Sequence, residues 1–312
     1  MASTSKLPPP TKDSKDVPDL NGQIILVTGG TAGIGKDTCR VLVERNAKVY
    51  LAARDKHKAT TVIDKIRKST GKDAIYFLHL DLADLDSVRK TAEEYRAQEK
   101  ELHVLINNAG VLYAPAVGPL TQQGYDIQFG VHVLGHYLLT TLLMPTILST
   151  AHGDISRKST RVRVVWVSSD GHEITAPKQG VNIVQKGDAS LLNWRVILAW
   201  IPLIEVVLIS SELARKYGDA GLVSISLHPG GVKSELLRNI NSIIAWLVEK
   251  VRIYPISLGV TTSLFAATSA EALGMNGEYL TAWARRQVPS RHAQNQELAA
   301  KLWAWCEEQV LM

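Results

Sequence analysis

Cysteine is nearly absent: 312 residues contain only Cys39 and Cys306, far apart and in no metal-binding spacing. A disulfide framework and a zinc ribbon are therefore excluded, and a reducing, cytoplasmic setting is expected. Basic runs are also missing. The 35 Lys and Arg residues interleave with 30 Asp and Glu, so the net charge of +5 is spread, with no aromatic platform beside it. That pattern argues against nucleic acid as a partner. The most apolar segment, Leu191 to Ile209, is interrupted by Arg195 and Glu205, and its longest uncharged stretch, Val196 to Ile204, is nine residues. A membrane span needs about 20. The segment reads instead as a buried helix or a contact between protomers, so a homo-oligomer is expected, or a membrane-surface contact in its place. Residues 1–20 lack an apolar signal core and carry Pro8, Pro9, Pro10 and Pro18. They read as a flexible polar arm and not as a secretory signal.

What is present is an ordinary globular composition, 46% apolar and 21% charged, with strand and helix patterns alternating from residue 21 to residue 312 without a linker. One domain is expected. Strands are predicted at Ile24 to Thr28, Lys48 to Ala53, Ala74 to His79, Val104 to Asn107, Arg163 to Ser168 and Leu222 to Leu227. Helices are predicted at Gly35 to Asn46, Lys56 to Thr70, Leu85 to Gln98 and Val133 to Leu148. Such alternation implies right-handed crossovers and an α/β fold: a single Rossmann-like, doubly wound parallel sheet with helices on both faces. The run QIILVTGGTAGIGK, Gln23 to Lys36, feeds a strand into a glycine turn and a helix start. Gly29 permits the turn, Gly33 lets the backbone approach a pyrophosphate, and Gly35 lets the helix pack closely on the sheet.

The spacing G-x-x-x-G-x-G, together with VYLAAR (Val49 to Arg54), LDLAD (Leu80 to Asp84), NNAG (Asn107 to Gly110), VVWVSS (Val164 to Ser169) and HPGGVKSEL (His228 to Leu236), resembles the short-chain dehydrogenase/reductase family. Its retinol-dehydrogenase-like and WW-domain-oxidoreductase-like branch, common in fungal pathways, is the nearest. The resemblance implies a nicotinamide dinucleotide held by Gly29, Gly33, Ile34 and Gly35, with Asp81 and Leu82 at the adenine. It places Asn108, Ala109 and Gly110 at the ribose, and Pro229, Gly230, Val232 and Ser234 around the nicotinamide and diphosphate. The alternative reading of Asp81 is a helix N-cap for the following segment. At the end of the second strand an acid would accept from a ribose 2′-hydroxyl, whereas this chain has Arg54, followed by Lys56 and Lys58. NADP(H) is therefore favoured over NAD. Lys56 and Lys58 also read as solvated charges at a helix start. A small hydrophobic alcohol or ketone is the implied substrate, and Asn241 to Val251 corresponds to the family's substrate lid.

The catalytic pattern departs from the family. Its chemistry rests on a Tyr proton donor, a Lys four positions later, a substrate-orienting Ser and an Asn. No Y-x-x-x-K occurs here, and aligning back from ELARKYG (Glu212 to Gly218) puts Ala199 and Leu203 at the Tyr and Lys positions. His132 stands at the Asn position, and Ser169 alone is retained. His132 is the expected substitute acid, on the ground that an imidazole titrates near neutrality; His136 and His172 read as packed or solvated. Pro202 suggests that the helix begins there, since proline suits a first turn. The unusual stretch spans residues 182–205, a pattern that a redesigned site or a mis-joined exon would each produce. The chain thus reads as an oxidoreductase with its redox activity in doubt, or as a redox-silent member with another catalytic or binding role.

Overall fold

The computed structural model describes residues 14–112, 119–153, 162–169, 202–232 and 254–311. Eight strands form one sheet in the order β3-β2-β1-β4-β5-β6-β7-β8. They are β1 (Ile24–Thr28), β2 (Lys48–Ala53), β3 (Ile75–His79), β4 (Val104–Asn107), β5 (Val162–Val167), β6 (Leu222–Leu227), β7 (Tyr279–Thr281) and β8 (Arg285–Gln287). All pairings are parallel except β7 with β8. Four predicted strands have the expected bounds, whereas β3 starts one residue later and β5 lies one residue earlier. The β7–β8 hairpin was not predicted: three-residue strands carry too little alternation to read.

Helices α1 (Gly33–Glu44), α2 (Lys56–Thr70) and α6 (Ile256–Thr268) cover one face. The other is covered by α3 (Leu85–Gln98), α4 (Ile127–Gly153), α5 (Pro202–Tyr217) and α7 (Gln296–Leu311). Fully buried runs such as the β6 pattern, with all six residues buried, are what two covered faces require. Helix α4 is longer than predicted and changes pitch: Gly130–Gly135 is a π-helical turn within it. Among the described residues α4 is the one helix long and apolar enough to cross a membrane, and 72% of its apolar window is buried within the fold.

Two expectations need correction. The arm does not extend to residue 20, because Val17 and Leu20 are each 5% exposed within the apolar cluster of the α1 face. The Leu20 N–H donates to the Arg45 carbonyl at 2.7 Å, which ties this segment down. Residues 1–13 lie outside the described residues. The ground for pairing through α5 is also removed where the chain is described, since Ile204, Val206, Val207, Leu208 and Ile209 are buried within the fold, where α5 packs between the sheet, the π turn and α7. Residues 191–201 lie outside the described residues.

Candidate active site

Parallel strands bring their carboxyl ends to one edge, and the strand order reverses between β1 and β4, the place where such folds open a crevice. Gly29 follows β1, Arg54 follows β2, Asn108 follows β4, Ser169 lies just beyond β5, and Pro229 follows β6 by two residues. The glycine turn is shaped for close backbone approach. Gly29 and Gly33 have φ of +69° and +52°. A Cβ at Gly29 would lie 2.8 Å from the Ala109 Cα, and one at Gly35 would lie 2.4 Å from the Asn108 Nδ2. Helix α1 has Ala32 at its N-cap, no side-chain cap and no acid in its first turn. By contrast, Asp55 and Asp84 cap α2 and α3. The amides of α1 are thus left for an anion, and with the glycine cradle they fit a dinucleotide pyrophosphate.

On the other side of the crevice, the Thr28 hydroxyl accepts from the backbone N–H groups of Asn108 and Ala109, both at 2.9 Å. The Asn108 amide donates to the Thr28 carbonyl at 2.8 Å. This fixes the 108–110 loop against β1. Asp81 is half-buried after β3 and accepts from the Ala83 N–H at 2.9 Å; the α3 N-cap is Asp84, so the alternative reading of Asp81 as that cap is excluded. Leu82 is buried, and its carbonyl lies 2.6 Å from where a Cβ of Gly135 would stand, so the π turn packs directly on the candidate adenine wall. Gly230, with φ of +91°, turns against Ala282 and Trp283, and Ile34 and Val232 are half-buried, each beside its own turn. Ser234, Ala199, His172 and Asn241 to Val251 lie outside the described residues.

A short chain dehydrogenase family model matches residues 23–175. A short-chain dehydrogenase/reductase of Armillaria gallica is 40% identical over 97% of this chain and 94% of its own length. The chain belongs to the short-chain dehydrogenase/reductase family. Retinol dehydrogenase 12 of Mus musculus is 33% identical over 91% of this chain and 85% of its own length. Among solved structures, an uncharacterised protein of Mycobacterium paratuberculosis superposes with a TM-score of 0.69 at 27% identity, covering 96% of this chain and 97% of that one.

At the candidate catalytic edge the described residues are those at the end of β5 and from Pro202 onward. Ser168 is buried and donates its hydroxyl to the Leu203 carbonyl at 2.9 Å, which ties the first turn of α5 to the end of β5. The described part of α5 starts at Pro202. Position 203 is therefore anchored beside the strand, but Leu203 offers no charge there. Ser169 is half-buried at the same strand end. Tyr50, the tyrosine with a basic residue four places on, donates to the Glu99 carboxylate at 2.6 Å. Burial and that bond push its pKa up, so it cannot serve.

The expected titration of His132 near neutrality is overturned. Its Nε2 accepts from the Val111 N–H at 2.9 Å, and desolvation pushes its pKa down to about 4. The ring is neutral at physiological pH, which leaves the proton on Nδ1, a buried atom with no hydrogen-bond partner among the described residues. His136 is more than a packed ring: Nε2 lies 2.8 Å from the Thr28 hydroxyl and Nδ1 lies 3.3 Å from the His132 carbonyl. That role was hidden in the sequence because Thr28 and His136 stand 108 positions apart.

Proposed function

We propose that this chain binds NADP(H) in preference to NAD(H) and acts on a hydrophobic alcohol or ketone, with its redox step slowed by the missing proton donor. The observation that carries the cofactor preference is at the end of β2. Arg54 is exposed there, while the adjacent Asp55 carboxylate is turned to α2, accepting from the Lys58 N–H at 3.0 Å. The one acid near the position is thus engaged as an N-cap, and the cation is left for a 2′-phosphate. Lys58 stands 3.9 Å from Asp55, so it is a weaker candidate than Arg54 for the same phosphate.

When bound, the dinucleotide supplies or accepts the hydride. The chain's own part is to hold the pyrophosphate on the α1 amides, to seat the ribose on the 108–110 loop, and to orient a substrate oxygen with Ser169. Two buried free thiols, Cys39 and Cys306, support a reducing, cytoplasmic setting. The second reading, a dinucleotide-binding member with no redox turnover, draws its support from Leu203 at the lysine position.

Titrating NADPH and NADH into the purified chain tests the preference. NADPH is expected to bind at least about tenfold more tightly, with Arg54→Ala removing most of the difference. Equal affinities, or a preference that Arg54→Ala leaves intact, would refute it.

A further inference from the structure

We infer that His136 is a positioning residue for the dinucleotide: an imidazole that orients the Thr28 hydroxyl and so holds the backbone of the proposed ribose-seating 108–110 loop against β1, while gripping the π turn that carries His132. The inference rests on the dinucleotide-binding reading above and names a residue that the glycine and NNAG motifs do not contain.

Counting donors and acceptors sets the proton positions. A threonine hydroxyl has one hydrogen and two acceptor sites. The Asn108 and Ala109 N–H groups, each at 2.9 Å, take both acceptor sites of Thr28. Its hydrogen has two takers, the His136 Nε2 at 2.8 Å and the Ile106 carbonyl at 3.4 Å, and the shorter contact wins. Nε2 is therefore an acceptor, which puts the ring hydrogen on Nδ1, facing the His132 carbonyl at 3.3 Å. His136 is 2% exposed, and burial together with the neighbouring His132 ring keeps it uncharged, with its pKa pushed down to about 3. A charged ring would offer hydrogens on both nitrogens and could not receive the Thr28 hydrogen. The result is a fully satisfied chain from the His132 carbonyl through His136 and Thr28 to two backbone amides of the cofactor loop. Each member restricts the next, and a buried network of this kind is strong only while it is complete.

Shape and chemistry can be separated by choosing side chains that keep one bond at a time. Gln in place of His136 can put a carbonyl oxygen near the Nε2 position and still accept from Thr28. Asn is too short to do so, but can still donate to the His132 carbonyl. The dissociation constant for NADPH, measured by fluorescence on the full chain well below each variant's melting temperature, is the readout. His136→Asn and Thr28→Val are expected to weaken binding about tenfold each, while His136→Gln and Thr28→Ser stay within about threefold of the parent. The double variant Thr28→Val with His136→Asn is expected to bind no more weakly than either single one, because both break the same link. His136→Asn with a lowered melting temperature but an unchanged dissociation constant would overturn the inference, leaving His136 a packing residue. So would His136→Gln binding as weakly as His136→Asn. Failure of the unsubstituted chain to bind either NADPH or NADH would instead remove the underlying dinucleotide reading, and the inference with it.

Discussion

With NADPH and a simple aliphatic or aromatic ketone, this chain is expected to turn over at least about 10²-fold more slowly than family members that carry the Tyr-x-x-x-Lys pair. A positioned acid is worth about 10² to 10⁴ in rate, and neither aligned position can supply one. Leu203, the residue that aligns with the lysine, has its carbonyl held by Ser168 and carries no charge. Ser169, the proposed oxygen-orienting group, carries a hydroxyl that is itself a poor acid near neutral pH. His132 does not fill the gap as an ordinary imidazole acid, since its pKa is pushed down to about 4. Residual turnover should therefore show no limb in the usual histidine range. Ala199→Tyr with Leu203→Lys is expected to raise the rate, and more so with Pro202→Ser, which removes a proline from between the two positions. The initial rate of NADPH oxidation is the measurement. Robust turnover by the unmodified chain, insensitive to Ser169→Ala and His132→Ala, would mean the chemistry takes place elsewhere.

Stability is expected to peak near pH 6.5 and to fall on either side, for two different buried reasons. Glu205 is 1% exposed, its Oε2 has no hydrogen-bond partner among the described residues, and burial pushes its pKa up from 4.5 to about 8. Below pH 4.5 the folded and unfolded chains both hold that proton. As pH rises from there to 8, only the folded chain does, so the stability Glu205 contributes is progressively lost. The histidines act oppositely. His132 and His136 have pKa values lowered from 6.5 to about 4 and about 3, so the unfolded chain takes up protons that the folded one refuses. Between pH 4.5 and 6.5 the two histidines outweigh the one carboxyl, and stability rises with pH. Above 6.5 Glu205 acts alone, and about 2 kcal/mol is lost by pH 8. Denaturant melts at a series of pH values check this, and Glu205→Leu should abolish the alkaline fall. A variant that falls as steeply as the parent above pH 6.5 would show that the carboxyl is not its source.

Local patterns carried well from sequence to structure, and distant ones did not. The core strands were legible because β1, β2, β4 and β6 are short apolar runs bounded by glycine, asparagine or charge, and α2 and α3 have Asp55 and Asp84 at their caps. The gathering of the candidate cofactor residues was legible for a related reason: Gly29, Arg54, Asn108 and Pro229 each come directly after a strand or within two residues of one, and parallel strands necessarily gather such residues along a single edge. The π turn was not legible, since GVHVLG has the same apolar content as the α-helix around it. Nor was the α7 covering of α5, a contact between segments some 90 residues apart whose apolar stripes each fit many partners. The titration of His132 was misread because an imidazole's ordinary pKa belongs to water, and the ring lies under the turn at Val111.

That covering helix also sets the order in which the molecule can be finished during synthesis. Trp303 stacks edge-on against Tyr137 at 4.9 Å, Trp305 against Phe129 at 5.5 Å, and Cys306 is fully buried in the same cluster. None of these partners can be shielded until residues 296–311 have left the ribosome. At about 5 to 20 residues per second, the apolar side of α5 waits on the order of 5 to 20 seconds for its cover. A nascent chain stalled just short of Gln296 would thus present a nearly complete sheet with one oily flank open, the form most apt to recruit a chaperone.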